Sequence, residues 1–222
     1  MPLKPVPMAF YRRNLPPWHP EGKTLFVTFR LYGSLPASLL KNRTGRNAFR
    51  SSRQAGATEV PKESAGERFL RLDAALDCAK SGPLWLADPE FAAYAEYPIL
   101  RGAELGRYLL YAYVVMPNHV HILLEPQVAL AKITRVIKGV AACDINARLG
   151  RTGKPLWQDE SFDHWIRDSA ELERIRHYIE YNPVTAHLTE RPELWQWSSA
   201  GNPHFQRLAA TVSVSAIEEV RS

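Results

Sequence analysis

The stretch 108–125 constrains the fold of this chain most, because it has the pattern of two strands joined by a tight turn. Residues 108–115 (YLLYAYVV) are uncharged and rich in aromatic and β-branched side chains, which favours a strand. Pro117 and Asn118 give a turn signal, and residues 119–125 (HVHILLE) form a second, mainly apolar run. The sequence therefore predicts a β-hairpin at this point of the chain.

Two histidines stand at the start of the second predicted strand. His119 and His121 are separated by Val120, and alternate side chains of a strand point to the same face. Two imidazoles fixed side by side can bind one metal ion. Unrelated folds use this spacing, and many surface histidines bind nothing. The spacing alone therefore leaves a metal site and an ordinary pair of histidines as open alternatives.

Hydrophobic periodicity predicts one further strand at the start of the domain and four helices. The strand covers residues 24–30 (TLFVTFR), and a last strand or bend is expected within 156–167. We expect the final helix to end near Asn182, because the residue before a proline avoids helical backbone angles and Pro183 follows. The helices are predicted at about 64–80, 89–97, 130–149 and 169–182.

The length of 222 residues fits one domain with appendages. We expect an extended, proline-rich arm at 1–22, a main domain at 23–190 with a basic insert at about 41–63, and a tail at 191–222. No apolar run approaches the ~20 residues of a membrane span, and the N-terminus lacks the pattern of a signal peptide. These features predict a cytoplasmic protein with no membrane partner.

The charge of the chain permits an anionic partner, since the net charge is +5 and the pI is about 9.3. Arg12 and Arg13 lie in the predicted arm, and three cations share one face of the third predicted helix. Those cations are Lys132, Arg135 and Lys138. Contacts with a DNA backbone are one interpretation of these residues, and a solvated face is the other.

A second candidate group lies in the last predicted helix. Arg174, Tyr178 and Asn182 are spaced i, i+4, i+8 and therefore line one face. A phenol with an amide oxygen one turn away fits a tyrosine nucleophile beside a metal ligand, so Asn182 is a candidate third ligand for a metal held by His119 and His121. Arg174 either contacts a phosphate of an anionic partner or is solvated. Without the histidines, the same pattern describes an ordinary interfacial tyrosine.

Several motifs taken together resemble a known family. The chain is similar to HUH single-tyrosine transposases of the REP-associated, IS200-like group. The resemblance spans most of the chain apart from the insert. It is carried by the segments MPNHVH at 116–121, WQ at 157–158, FDHWIR at 162–167, YIEYNPVTA at 178–186 and WQWSSA at 195–200.

The resemblance implies a fold and a site. The fold is an α+β, ferredoxin-like antiparallel sheet of the HUH endonuclease type, with helices on one face and the histidines on a central strand. Tyr178 is the implied nucleophile, with Tyr181 as a nearby competitor, and Mg²⁺ or Mn²⁺ is the implied cofactor. The implied metal ligands are His119, His121 and Asn182. Further candidates for a role in the site are Glu125, His164 and Arg167, although a structural role is the alternative for His164.

The implied activity is cleavage and rejoining of single-stranded DNA next to hairpins, through a 5′-phosphotyrosine intermediate. The partner is then a REP-like DNA palindrome rather than a small molecule. The protein is a monomer or homodimer, and it is associated with the nucleoid in the bacterial cytoplasm. A catalytically silent hairpin-binding protein is the alternative. A two-histidine phosphoesterase is disfavoured, because such enzymes need two H-x-T/S strands and this chain has one H-x-H.

Overall fold

A computed structural model describes residues 22–36, 39, 65–78, 82–159 and 161–209. The predicted basic insert at about 41–63, together with Arg12 and Arg13 of the predicted arm, lies outside these residues. Within the described part of the chain, no helix is long and apolar enough to cross a membrane.

The centre of the fold is one four-stranded antiparallel sheet. Its strands are β1 (Leu25–Arg30), β2 (Tyr108–Val115), β3 (His119–Pro126) and β4 (Phe162–Trp165). They lie in the order β2-β3-β1-β4, and every neighbouring pair is antiparallel. This is the ferredoxin-like order, with β1 and β3 at the centre. The predicted α+β antiparallel fold is confirmed.

The predicted hairpin forms β2 and β3. Val115 pairs with Val120, and the amide of Met116 donates to the carbonyl of His119 at 2.9 Å, which closes the turn. The last four residues of β2 are buried, and so are the first six residues of β3. The hairpin therefore holds His119 at the entry to a central, well-packed strand.

Within the residues that the structure describes, four α-helices pack around the sheet, and two of them begin at an aspartate. Asp88 accepts from the amide of Glu90 at 2.8 Å, and Asp168 accepts from the amide of Glu171 at 2.7 Å, so each carboxylate caps a helix N-terminus. The helices are α1 (Ala65–Asp77), α2 (Pro89–Glu104), α3 (Leu130–Arg148) and α4 (Ser169–Thr185).

The helices cover both faces of the sheet, which corrects the expectation of helices on one face. Every residue of β1 is buried. Val27 and Phe29 pack with α2 and α3 in one apolar cluster, whereas Phe26 packs with α1 and α4 in a second cluster. The run Leu-Phe-Val-Thr-Phe carries apolar side chains on both faces of the strand, as expected when each face is covered by helices.

Two helices continue past a proline, and for the last helix this corrects the expectation that it ends near Asn182. Helix α2 contains Pro98 and extends to Glu104, beyond the predicted end at 97, and α4 contains Pro183 and extends beyond Asn182. A proline inside a helix costs about 3 kcal/mol or more. Both prolines are buried, and the packing of their helices on the sheet outweighs this local cost.

The segment at 195–199, in the predicted tail, lies along β2. The amide of Val115 donates to the carbonyl of Trp197 at 2.8 Å, and the amide of Ser199 donates to the carbonyl of Tyr113 at 2.9 Å. The hydroxyl of Ser199 also donates to Glu180 of α4 at 3.2 Å. This segment therefore joins the sheet to the helix that carries Tyr178.

Candidate active site

The two histidines meet on the sheet face that is covered by α1 and α4. His119 and His121 are both fully buried, and their Nε2 atoms lie 3.1 Å apart. Their ring centroids are 4.7 Å apart. The strand parity predicted from the sequence is therefore observed: both imidazoles direct one nitrogen to the same point.

The outer nitrogen of each imidazole has its own partner. His119 Nδ1 lies 2.7 Å from Asn118 Oδ1, and Asn118 Nδ2 donates to the carbonyl of Leu76 at 2.9 Å. Because the amide nitrogen of Asn118 donates to Leu76, its amide oxygen faces the imidazole, and His119 Nδ1 therefore donates to that oxygen. His121 Nδ1 bonds Thr28 Oγ1 at 2.7 Å. Such outer partners fix ring orientation, as they do around histidines that ligate metals.

Two aspartates of α1 complete the cluster. Asp73 Oδ1 lies 3.3 Å from His121 Nε2 and 3.9 Å from His119 Nε2, and Asp77 Oδ1 lies 3.7 Å from His119 Nε2. The sequence analysis missed both residues. A signal was present, because the aspartates are one helical turn apart and border the buried positions of an amphipathic helix. Those positions are Phe69, Leu72 and Leu76.

Burial sets the protonation of the cluster. It lowers the pKa of His119 to about 3, with the neighbouring His121 as the second cause, so this imidazole is neutral at pH 7. Burial also raises the pKa of Asp77 to about 8, with the negative charge of Asp73 as the second cause. A neutral imidazole offers a lone pair on Nε2, which is the form that binds metal ions.

Tyr178 reaches the same point from α4. Its hydroxyl donates to Asp73 Oδ2. Its ring packs edge-on against Phe26, with 6.2 Å between centroids, and lies 5.8 Å from the ring of His121. The structure thus brings together three residues singled out in the sequence, His119, His121 and Tyr178, around one carboxylate.

Asn182 lies one turn after Tyr178 and is 2% exposed. Neither polar atom of its side chain has a hydrogen-bond partner within the part of the chain that the structure describes. A buried polar group without a partner costs about 1–3 kcal/mol.

The donor set fits a divalent cation. Asp73, His119 and His121 each offer one ligand atom, and these atoms lie within 4.8 Å of one another. Asp73 Oδ1 and Asp77 Oδ1 are buried without a hydrogen-bond partner among the described residues. Two imidazole nitrogens with carboxylate or amide oxygens suit divalent metals such as Mn²⁺ and also accept Mg²⁺.

The predicted DNA-contacting cations of α3 lie apart from this cluster. Lys132 and Arg135 are exposed on α3, which packs on the opposite face of the sheet. Lys138 donates to the carbonyls of Gln158 at 2.7 Å and Asp159 at 3.3 Å, so its ammonium is already engaged. A further predicted cation, Arg174, is exposed on α4.

The additional candidates have partners of their own. Glu125 shares the strand parity of the histidines, but it accepts from Tyr111 at 3.0 Å and lies about 13 Å along the strand from His121. His164 Nε2 contacts Glu171 at 3.0 Å, and the backbone amide of Arg167 donates to the same carboxylate at 2.8 Å. His164 and Arg167 therefore help to fix the first turn of α4.

Comparisons with known proteins agree with this geometry. Residues 99–182 match the family model described as "Transposase IS200 like". The resemblance predicted from the sequence is confirmed. A solved structure, described as a REP-associated tyrosine transposase bound to a REP hairpin, is 19% identical and superposes with a TM-score of 0.50. The alignment covers 89% of this chain and 86% of that one. At this identity the likeness supports the fold. Comparison with curated proteins finds no match.

Proposed function

We propose that the chain is a metal-assisted transposase that cleaves and rejoins single-stranded DNA through Tyr178. One observation carries the proposal: the phenol of Tyr178 and the Nε2 atoms of His119 and His121 converge on Asp73. The family match at 99–182 includes both histidines and the tyrosine. This match makes phosphoryl transfer the reaction class that best accounts for the cluster.

The chemistry follows from the residues. Tyr178 Oη attacks the phosphorus of a DNA strand, forming a 5′-phosphotyrosine bond while the bond from phosphorus to the 3′-oxygen breaks. Asp73, which already accepts the hydrogen bond of the phenol, takes up its proton, and a proton returns to the departing 3′-oxygen. The covalent intermediate conserves the phosphodiester energy, so another 3′-hydroxyl can reverse the step and rejoin a strand.

His119, His121 and Asp73 would hold the metal, with Asn182 as a candidate further ligand. Mg²⁺ or Mn²⁺ held there would supply positive charge that stabilises the charge developing on the phosphate oxygens. Asn118 and Thr28 hold the imidazoles in place at 2.7 Å each. Asp73 has a second role, because its other oxygen orients the attacking phenol.

We propose DNA next to a hairpin as the substrate. The similar solved structure is that of a protein bound to a REP hairpin, and the net charge of +5 favours a nucleic acid. The exposed cations Lys132, Arg135 and Arg174 are proposed backbone contacts, together with Arg12 and Arg13. Because Tyr178 and the histidines meet within one chain, we propose that one subunit suffices for cleavage.

The test is denaturing gel electrophoresis after mixing the protein with labelled, hairpin-bearing single-stranded DNA and Mn²⁺. We expect a labelled band at the mass of a protein–DNA adduct, which EDTA prevents and Tyr178→Phe abolishes while DNA binding persists. Tyr181→Phe is the matched control and should retain the adduct. An adduct in Tyr178→Phe would refute the assignment of the nucleophile. Binding without any adduct across a pool of hairpins would favour the silent binder.

A further inference from the structure

An exposed pair of rings lies on α4 beside the tyrosine. The rings of His177 and Tyr181 are stacked, with centroids 4.0 Å apart and planes within 8° of parallel. Tyr181 is 39% exposed, and His177 is also exposed. The two parallel rings thus present a flat aromatic surface to solvent.

The position of this pair relative to Tyr178 follows from helix geometry. Tyr181 lies three residues after Tyr178, which places it about 4.5 Å further along the helix axis and about 60° around it. The phenol of Tyr178 points inward to Asp73, whereas the ring pair faces solvent. A nucleotide chain whose phosphate sits at Tyr178 would therefore have its next base within reach of the pair.

The charges around the pair suit a DNA strand. Arg174 is exposed one turn before His177 on the same stripe of α4. The acidic neighbours on this helix are paired, because Arg176 contacts Glu173 at 2.8 Å and Glu180 at 3.3 Å. The stripe thus offers a cation for a phosphate and an aromatic surface for a base, the combination found in grooves that bind single strands.

We propose that the His177–Tyr181 pair is a stacking platform for a nucleobase flanking the scissile phosphate. This inference rests on the proposed function, since it takes the DNA strand to lie at Tyr178. The platform recognises the π-face of a base, so it positions the strand with little dependence on sequence. If the two rings only stabilise neighbouring turns of α4, replacing Tyr181 should leave the Kd for DNA unchanged.

The experiment uses the full chain carrying Tyr178→Phe, so that DNA is bound without turnover. The probe is a DNA hairpin with a single-stranded flank in which 2-aminopurine replaces one base at a time. Fluorescence quenching reports stacking, and its titration gives the Kd. Tyr181→Ala, Tyr181→Phe and Tyr97→Ala are compared, because Tyr97 is another exposed tyrosine, on α2, with 60% of its surface accessible.

We expect quenching at one flank position that is lost in Tyr181→Ala and kept in Tyr181→Phe and Tyr97→Ala. Loss of one stacked base should weaken binding roughly 5- to 140-fold. An unchanged Kd and unchanged quenching in Tyr181→Ala would overturn the platform, as would a flank that quenches at no position. A third outcome separates the two proposals. If quenching depends on Tyr181 but the protein that keeps Tyr178 forms no adduct, the proposed cleavage is refuted and the platform is supported.

Discussion

Replacing Asp73 by asparagine should make the metal-free protein more stable and less active at once. Asp73 is 3% exposed, and its Oδ1 has no hydrogen-bond partner among the described residues. Its negative charge is also the second cause that raises the pKa of Asp77. An unpartnered buried polar atom costs about 1–3 kcal/mol. Asparagine is uncharged and still offers an oxygen to Tyr178, so we expect the variant to gain about 1–2 kcal/mol when metal is absent.

When metal is present, the intact protein should instead be more stable than Asp73→Asn. A ligand that binds only the folded state at 100 times its Kd adds about 2.7 kcal/mol to stability. The intact protein should show that gain with Mn²⁺, whereas Asp73→Asn, which lacks a charged ligand, should gain far less. Strand cleavage by the variant should also fall by about 10²- to 10⁴-fold, the range for loss of a general base.

The assay is thermal unfolding with EDTA and with Mn²⁺, in which each kcal/mol shifts the midpoint by about 2–4 °C for a chain of this size. Asp144→Asn is the control, because Asp144 is exposed on α3 and its loss removes one charge away from the site. If Asp73→Asn were less stable than the intact protein in EDTA, the unpartnered carboxylate would not be the destabilising element. If both proteins gained equally from Mn²⁺, Asp73 would not be a ligand.

Three further predictions concern residues that support the fold and the site. Asn118→Ala removes the acceptor that orients His119, and Mn²⁺ affinity measured by titration calorimetry should fall about 10- to 100-fold. Burial raises the pKa of Glu96 above its ordinary value of 4.5, so the contribution of Glu96 to stability should be greatest below pH 4.5 and decline as the pH rises through the raised value. Glu96→Gln should abolish that decline in urea unfolding. A methyl group at Gly102 would lie 2.7 Å from the ring of Tyr108, so Gly102→Ala should lower the unfolding free energy by about 1–3 kcal/mol, a loss that denaturant titration measures.

The hairpin and its histidines were predictable because their signals are local. The predicted runs at 108–115 and 119–125 coincide with β2 and, to within one residue, with β3. Alternation within one strand then fixes the shared face of His119 and His121 without knowledge of any other element. Tyr178 was indicated by a motif in the sequence, and the structure brings its hydroxyl to the cluster.

Asp73 and Asp77 were not found, because their role depends on a contact across more than 40 residues of chain, counted from His119. Within their own helix they are two acidic positions next to an apolar stripe, a common arrangement. The pre-proline rule also failed at Pro183, where tertiary packing extends α4 past its proline, and α2 likewise continues past Pro98. Sequence periodicity reports which positions are buried, but it does not report which buried positions of two elements meet.

The segment at 195–199 has a consequence for the behaviour of the protein in solution. β2 is an outer strand of the sheet, and an outer strand with free backbone groups is a template for pairing with other chains. The hydrogen bonds from Val115 and Ser199 occupy that side of β2, so the segment protects β2 from pairing with a strand of another chain. A truncated protein that ends at residue 190 would present the bare edge of β2 and would also lose the Ser199 contact with α4.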